Sequence, residues 1–228
     1  MDVFGTALLA YYQTGTAATL WLHNSYDVPE EMPIAVFFRD EEEMPDIEYK
    51  ALEMCYGKVL DVGAGVGSHA LLLQQQKIDV TAIDISETAV DIMKLRGVKN
   101  AFVQDIFFST AKYDTLLFLM NGIGLTGTLP GLIDFLSKAK TLLNADGQLI
   151  FDSSNISYLY KDLPKPTNHY FGEISYCYEY ENQKGNWFNW LYIDEDTLMT
   201  TARENGWLCE IVLDDGEDHY LARLTLIS

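Results

Sequence analysis

One arrangement constrains the fold of this chain more than any other feature: a strand-like segment ends in glycines, and a helix-like segment follows at once. Residues 59–62 form a short, mostly apolar run that stops at Gly63. Gly65 and Gly67 follow at alternate positions, and residues 68–76 have a helical pattern. Glycines at such a turn permit positive φ angles and let backbone N–H groups approach a ligand closely. The arrangement is typical of an α/β protein that binds a ligand at this turn.

Strand and helix patterns continue to alternate beyond the first unit. Further strands are predicted at residues 78–83, 101–103, 115–119 and 148–151, with helices at 87–95 and 132–143. Because strands that alternate with helices are joined by crossover connections, the sheet is expected to be mainly parallel. The predicted fold class is therefore α/β, of the doubly wound, Rossmann-like type.

The segments on either side differ from this alternating region. Residues 1–57 are predicted to form an N-terminal helical cap, with one or two helices around a short apolar segment. An inserted β-hairpin is predicted at about residues 170–193, and a second hairpin at 207–227. We therefore divide the chain into this cap and a core, residues 58–228, within a single compact domain. The length of 228 residues agrees with one domain.

Two acidic residues accompany the glycines. Asp61 lies two positions before Gly63, and Asp84 ends the second predicted strand. A carboxylate at that strand end can accept hydrogen bonds from both hydroxyls of a ribose. The glycine spacing is G-x-G-x-G, whereas the dinucleotide fingerprint G-x-G-x-x-G requires glycine where Ser68 stands. A nicotinamide-dependent oxidoreductase is therefore disfavoured.

On these motifs, residues 55–153 resemble the class I S-adenosylmethionine-dependent methyltransferases. The resemblance implies a seven-stranded, mostly parallel sheet with an antiparallel C-terminal strand, and S-adenosylmethionine as the cofactor. The glycine loop would pack on the methionine part of the cofactor, and Asp61 would help to hold its ammonium group. Asp84 would bind the ribose, with Ile85 beside the adenine and Asp105 near its amino group. The implied cofactor-binding residues are Asp61, Gly63, Ala64, Gly65, Gly67, Asp84, Ile85, Gln104, Asp105, Ile106 and Asn121.

Charge limits the partners of the chain. It carries 15 Lys and Arg against 34 Asp and Glu, a formal net charge of −19. This field repels nucleic-acid backbones and anionic membranes, so neither is expected as a partner. A small-molecule substrate that is neutral or cationic is compatible with it. Much of the charge is also typical of a solubility surface.

Cysteine spacing and the N-terminal residues indicate the compartment. Cys55, Cys177 and Cys209 lie far apart and form no zinc-binding spacing, so we expect reduced thiols and no metal site. Asp2 places an acid where a signal peptide carries bases, and no apolar run approaches the roughly 20 residues that span a bilayer. A cytoplasmic protein is therefore expected.

The catalytic residue is not assigned by any motif. Methyl transfer is an in-line displacement whose rate depends on alignment, and a general base is optional. The candidates are Asn121, where cofactor and acceptor meet in the resembled family, Asp152, His169 and Tyr11. The last three have structural alternatives: a turn or cap for Asp152, a surface position for His169 and core packing for Tyr11.

Tyrosines and tryptophans concentrate between residues 160 and 192. Aromatic side chains combine rigid contact area with a polar tip. The aromatic hairpin could therefore roof a substrate pocket, form a face of a homodimer, or extend the core.

The functional hypothesis is transfer of a methyl group to an oxygen or nitrogen of a small molecule, with the acceptor unassigned. The (D/N)-P-P-aromatic motif that serves amide and amino acceptors is absent, because Gly122 and Ile123 follow Asn121. No cysteine follows a proline, which disfavours covalent methylation of cytosine. A protein or peptide methyltransferase and a non-catalytic cofactor-binding module remain open alternatives.

Overall fold

The computed structural model describes residues 2–162 and 164–227. Residues 1, 163 and 228, which the predicted cap and core include, lie outside the described residues. The helices are α1 (Val3–Thr14), α2 (Asp46–Glu53), α3 (Ser68–Gln75), α4 (Glu87–Arg96), α5 (Leu129–Leu142) and α6 (Glu195–Glu204). The strands are β1 (Leu20–Asn24), β2 (Glu30–Met32), β3 (Lys58–Val62), β4 (Asp79–Asp84), β5 (Ala101–Val103), β6 (Tyr113–Phe118), β7 (Leu143–Ser154), β8 (Glu173–Tyr180), β9 (Gln183–Lys184), β10 (Phe188–Leu191), β11 (Trp207–Asp214) and β12 (His219–Leu226).

The larger sheet has seven strands in the order β11-β12-β7-β6-β3-β4-β5. Neighbours from β5 to β7 pair in parallel, whereas β12 runs antiparallel to both β7 and β11. The predicted fold class, a mostly parallel seven-stranded sheet with an antiparallel C-terminal strand, is confirmed. In this sheet β3 has β4 on one side and β6 on the other, so the direction in which successive strands are added reverses at β3. Open α/β sheets bind ligands at such a reversal, outside the carboxyl ends of the strands.

Both faces of this sheet are covered by helices. Leu116 and Phe118 of β6 pack in a cluster with residues of α5 and α6. Leu117 and the following Leu119 pack on the opposite face, with residues of α2, α3 and α4. All four side chains are buried. A strand buried on both faces reads as a continuous apolar run, which is why β6 was recognisable in the sequence.

Local capping signals determine where two helices begin and end. The Asp2 carboxylate accepts the backbone N–H of Gly5 at 2.7 Å, and Ser86 Oγ accepts that of Ala89 at 3.0 Å. Gly97 ends α4 in the left-handed region, with φ of 102°. The Ser86 hydroxyl also donates to Asp2. This bond joins the N-terminus of α1 to that of α4, and α1 packs along α4.

The smaller sheet is antiparallel and combines distant parts of the chain. Its order is β10-β8-β1-β2, with β9 paired to β8. The predicted hairpin is present as β8 and β10, but β8 also pairs with β1 from the N-terminal segment. That segment contains two strands besides α1 and α2. The expectation of helices alone around an apolar segment was therefore incomplete.

The two missed strands lack a strong local signal. In β1, Leu20 and Leu22 are buried and Trp21 is exposed, but the alternation covers only five residues. In β2, Glu30 and Glu31 are exposed. Pairing with β8 stabilises β1, and this pairing is invisible to local patterns. Among the described residues, no helix is both long and apolar enough to cross a membrane.

Candidate functional site

A cavity of about 1000 Å³ lies between the two sheets. One wall consists of the carboxyl ends of β3 and β4 and the loops that follow β3, β4, β5 and β6. The other wall consists of side chains from β1, β8 and β10 and from the start of α1. Ligand pockets usually measure about 300–1,000 Å³, so this volume is sufficient for a cofactor and a small acceptor together.

The glycine loop forms the centre of the first wall. Gly63, Gly65 and Gly67 all have positive φ, at 67°, 55° and 81°. A Cβ at Gly67 would lie 2.7 Å from Cγ2 of Val98, so this glycine lets the loop pack closely against the end of α4. At Gly63 and Gly65 the nearest side-chain atoms would be 3.8 and 3.9 Å away, and both residues line the cavity with Ala64. The first two glycines therefore leave room for a ligand, and the third serves packing.

Asp61, at the end of β3, is a buried acid without a full set of partners. It is 1% exposed, and its Oδ2 makes no hydrogen bond with any described residue. Burial raises the pKa of Asp61 to about 6, the charge of His69 opposes this rise, and the charge of Asp84 adds to it. A buried carboxylate is costly unless it is paired. Its place in the cavity wall therefore favours a ligand that carries a cationic group.

A buried ion cluster lies beside Asp61. Glu48 of α2 accepts hydrogen bonds from Arg39 and from His69 Nε2, the latter at 2.7 Å. Burial alone would lower the pKa of His69, but the hydrogen bond to Glu48 and the charge of Asp61 raise it above its usual value. Arg39 also lines the cavity, and its buried Nε–H has no partner among the described residues.

Sequence motifs did not identify this cluster. Its one visible signal is an isolated arginine, Arg39, directly ahead of the acidic residues 40–43. Because the unpaired donor of Arg39 accompanies the unpaired acceptor of Asp61, the two residues match a ligand with both a carboxylate and an ammonium group.

Asp84 connects the glycine loop to the next helix. Its carboxylate accepts the backbone N–H of Gly65 at 2.9 Å and that of Ser86 at 2.8 Å. Burial raises the pKa of Asp84 to about 6, although these two hydrogen bonds lower it. The adjacent Ile85 lines the cavity and is 78% exposed. The pair thus offers a carboxylate and an apolar surface to the same ligand.

The loop after β5 supplies the next part of the wall. Asp105 lines the cavity and accepts the backbone N–H of Phe107 at 2.9 Å, while Ile106 beside it is buried. Phe107 also lines the cavity, although no sequence motif indicated this position. Gln104 does not line the cavity, and its N–H donates to the carbonyl of Asp84. Its contribution is therefore to hold the two loops together.

The loop after β6 brings Asn121 into the cavity wall in an uncommon backbone conformation. Met120 and Asn121 both have positive φ, at 62° and 57°. The Asp152 carboxylate accepts the N–H of Asn121 at 2.9 and 3.0 Å, and the Ser154 hydroxyl donates to the Asn121 side chain at 2.9 Å. His219 Nε2 lies 2.6 Å from Asp152. These contacts stabilise a strained turn that forms part of the cavity wall.

The other catalytic candidates lie outside the cavity wall. Asp152 is fully buried beneath the Asn121 loop. Tyr11 packs its ring against Phe38, with centroids 4.8 Å apart. His169 is exposed and bonds to its neighbour Asn168. Asn121 is therefore the one catalytic candidate that the fold places in the wall.

The second wall is aromatic. Ring centroids of Tyr178 and Phe188 lie 5.2 Å apart, and those of Phe188 and Trp190 lie 6.2 Å apart. The Trp190 ring rests on Gly124, where a Cβ would lie 2.1 Å from the indole nitrogen. The aromatic wall therefore reaches the loop that carries Asn121. The hairpin rings that line the cavity are Tyr176, Tyr178, Trp187, Phe188, Trp190 and Tyr192.

The chain matches known proteins along most of its length. Residues 15–209 match a family described as a methyltransferase domain. The crystal structure of an S-adenosylmethionine-dependent methyltransferase from Bacteroides fragilis in complex with S-adenosyl-L-homocysteine is 41% identical, with a TM-score of 0.93. The alignment covers 100% of this chain and 95% of that one. No curated protein sequence matched.

More distant structures share the fold. The CcbJ methyltransferase from Streptomyces caelestis is 14% identical, with a TM-score of 0.62, and an S-adenosylmethionine-dependent methyltransferase from Clostridium acetobutylicum is 13% identical, with a TM-score of 0.58. Each alignment covers 82% of this chain and 94% of the other.

The cavity fits S-adenosyl-L-methionine, whose demethylated product S-adenosyl-L-homocysteine is bound in the Bacteroides fragilis structure. The unpaired atoms of Asp61 and Arg39 suit the ammonium and carboxylate of its methionine part, and the glycine loop leaves space beside them. Asp84 and Ile85 suit a ribose and an adenine ring. The chain therefore belongs to the methyltransferase domain family and is a class I S-adenosylmethionine-dependent methyltransferase.

Proposed function

We propose that the enzyme transfers the methyl group to an oxygen or nitrogen atom of a small molecule. The observation that carries this proposal is the contrast between the two walls of one cavity. The first wall holds the groups that suit the cofactor, and the second is built of aromatic rings. The smaller sheet lies over the carboxyl ends of β3, β4 and β6. A small molecule suits such a roofed space, whereas a folded protein would have to insert a flexible segment.

The charges of the cavity support a neutral or cationic acceptor. The cationic side chains that line it, among the described residues, are Arg39 and His69, and both already pair with Glu48. The acidic side chains in the lining are Asp2, Asp61, Asp84, Glu87 and Asp105. An acceptor rich in phosphate or carboxylate groups would meet repulsion both here and from the net charge of −19.

The residues of the chain act by placement. When bound, S-adenosylmethionine supplies a methyl carbon made electrophilic by the sulfonium. Asp61 and Arg39 orient the amino-acid end, and Asp84 orients the ribose. The Asn121 loop, held by Asp152, forms the boundary between the two ligands, and the aromatic wall keeps water away from the acceptor. Alignment of this kind can supply much of the rate acceleration of a displacement.

The test is a labelling experiment with the intact enzyme. A cell lysate is incubated with the enzyme and S-adenosylmethionine labelled in its methyl group, and small molecules are then separated from macromolecules. We expect enzyme-dependent label in the small-molecule fraction. Asp84→Ala should lower it at least tenfold, because the ribose contact is lost. Asp79→Ala is the matched control, since Asp79 is exposed at the opposite end of β4.

The other outcomes are distinct. Label retained in macromolecules would mean a protein or peptide acceptor. Cofactor binding in a calorimeter without transfer to either fraction would mean a non-catalytic binding module. Either result would contradict the proposal.

A further inference from the structure

A short segment from the N-terminal part of the chain, residues 33–39, brings Arg39 to the cavity, and we call it the Arg39 segment. Its Ile34 is buried in a cluster with residues of α1 and α4. Phe37 and Arg39 line the cavity, and Cδ1 of Phe37 would lie 3.9 Å from a Cβ at Gly65. The segment therefore lies against the glycine loop and carries the donor that suits the carboxylate of the cofactor.

Arg96, the last residue of α4, joins this segment to the glycine loop. Its Nη1 donates to the Val66 carbonyl at 2.8 Å and to Ser68 Oγ at 3.1 Å. Its Nη2 donates to the Phe38 carbonyl at 3.4 Å, and its Cζ lies 5.3 Å from the centre of the Phe38 ring. The planar fork of an arginine can bridge two backbone segments in this way, whereas a lysine is a single point charge.

The Ser68 hydroxyl provides a second link between the same parts. It donates its one hydrogen to the Phe37 carbonyl at 2.8 Å, and its oxygen accepts the bond from Arg96. The carbonyls of Phe37 and Phe38 are therefore both connected to one guanidinium group, the first through Ser68 and the second directly. Because these carbonyls immediately precede Arg39, the contacts fix the backbone from which its side chain starts.

The far end of the Arg39 side chain is fixed by a different partner. Its Nη2 pairs with the buried carboxylate of Glu48, and its Nε–H has no partner among the described residues. A side chain with several rotatable bonds keeps a donor in one direction only when both of its ends are fixed. Glu48 fixes the guanidinium end, and Arg96 with Ser68 fixes the backbone end.

We propose that Arg96 is a positioning residue for S-adenosylmethionine: it fixes the Arg39 segment so that the Nε–H of Arg39 meets the carboxylate of the cofactor. Arg96 does not line the cavity, so it acts through Arg39. The inference concerns the amino-acid end of the cofactor and does not depend on which acceptor receives the methyl group.

The experiment is a double-mutant cycle of Arg96→Met and Arg39→Lys, measured by calorimetry on the full chain. The ligands are S-adenosylhomocysteine and methylthioadenosine, which lacks the amino acid. Methionine replaces much of the apolar stem of arginine but has no hydrogen-bond donor. Lys94→Met is the matched control, because Lys94 lies in the same last turn of α4 and its ion pair is with Asp91 of the same helix.

We expect Arg96→Met to lower the affinity for S-adenosylhomocysteine about tenfold, the loss typical of a hydrogen bond to a charged group, and to leave that for methylthioadenosine unchanged. In the Arg39→Lys background the same substitution should cause no further loss, because the two residues act through one contact. Lys94→Met should leave both affinities unchanged.

Additive losses in the cycle would mean that Arg96 acts through Val66 and the glycine loop, and would overturn the proposal. Equal losses for the two ligands, or no loss from either single substitution, would overturn it too. If urea titrations show that Arg96→Met does not fold, Ser68→Ala takes its place in the cycle, since it removes the link to Phe37. The same pattern is then expected with a smaller loss of about threefold, because a neutral hydrogen bond is weaker.

Discussion

His219 Nε2 lies 2.6 Å from Oδ2 of Asp152, and this same carboxylate accepts the backbone N–H of Asn121. Asp152 is fully buried and does not line the cavity, so it acts through the loop that it holds. Burial would lower the pKa of His219, but the hydrogen bond and the charge of Asp152 raise it above the usual value. The pair therefore joins β12, β7 and the cavity wall through charge-assisted hydrogen bonds.

Asp152→Asn should destabilise the protein and weaken cofactor binding. Oδ2 of Asp152 accepts from both His219 and Asn121, so the amide oxygen can keep these two bonds. The amide NH2 group then takes the position of Oδ1, where it faces the N–H of Asn121 and has no acceptor, and the charge that pairs with His219 is lost. A buried hydrogen-bonding group left unsatisfied costs about 1–3 kcal/mol, and we expect the free energy of unfolding to fall by that amount in urea titrations. Asp218→Asn, at an exposed position in the turn before β12, is the control. Equal stability of the Asp152 variant and this control would refute the role assigned to Asp152.

The stability of the cofactor-free enzyme should depend on the ionisation of Asp61. Its pKa of about 6 in the folded state lies above the ordinary value of 3.8. Between these two pH values the folded state retains a proton that the unfolded chain releases. The stabilising contribution of Asp61 is therefore present below the ordinary pKa and is lost as the pH rises through about 6.

Asp61→Asn removes this titration. Relative to the variant, the wild type should lose roughly 3 kcal/mol of unfolding free energy between about pH 4 and about pH 7. Urea titrations of both proteins at several pH values, without cofactor, measure the difference. S-adenosylhomocysteine should restore the wild type at the higher pH, because its ammonium pairs with the ionised carboxylate. A difference that does not change with pH would show that Asp61 does not titrate in this range.

Local patterns were sufficient to predict the larger sheet and the glycine side of the cavity. The turn from Gly63 to Gly67 and the acid at Asp84 are adjacent to strands that the apolar pattern reveals. Ser86 and Gly97 mark the ends of α4 by their own backbone preferences. These features depend on neighbours in sequence, so a single chain is enough to recognise them.

The remaining features depend on contacts between distant residues. The strand β1 is stabilised by pairing with β8, more than 150 positions later, as in the pair of Leu20 and Tyr180. Arg39 and His69 meet at Glu48 only because α2 and α3 share one face of the sheet. Neither arrangement has a sequence motif, because residue types alone do not determine which buried charges become partners.

Arg39→Lys should lower the affinity for ligands that carry the amino-acid end of the cofactor and leave the affinity for ligands without it unchanged. Lysine keeps a positive charge for Glu48 but lacks the Nε–H that has no partner in the wild type. We expect the affinity for S-adenosylhomocysteine to fall about tenfold, and that for methylthioadenosine, which lacks the amino acid, to stay unchanged. Calorimetry with both ligands measures this, and Arg203→Lys in the last turn of α6 is the control. Equal losses for the two ligands would rule out the proposed carboxylate contact.

Gly67→Ala should destabilise the protein more than Gly216→Ala, although the two glycines have the same backbone conformation. Gly67 and Gly216 have φ angles of 81° and 80°, so alanine meets a similar backbone strain of about 1 kcal/mol or more at both. At Gly216 no atom lies within 4 Å of the added Cβ, whereas at Gly67 it would lie 2.7 Å from Val98 and 2.9 Å from Met93. Overpacking of a buried contact costs about 1–3 kcal/mol, and we expect this as the additional loss in urea titrations. Equal losses for the two variants would mean that Gly67 is required for its backbone conformation alone and not for the close approach of the loop to α4.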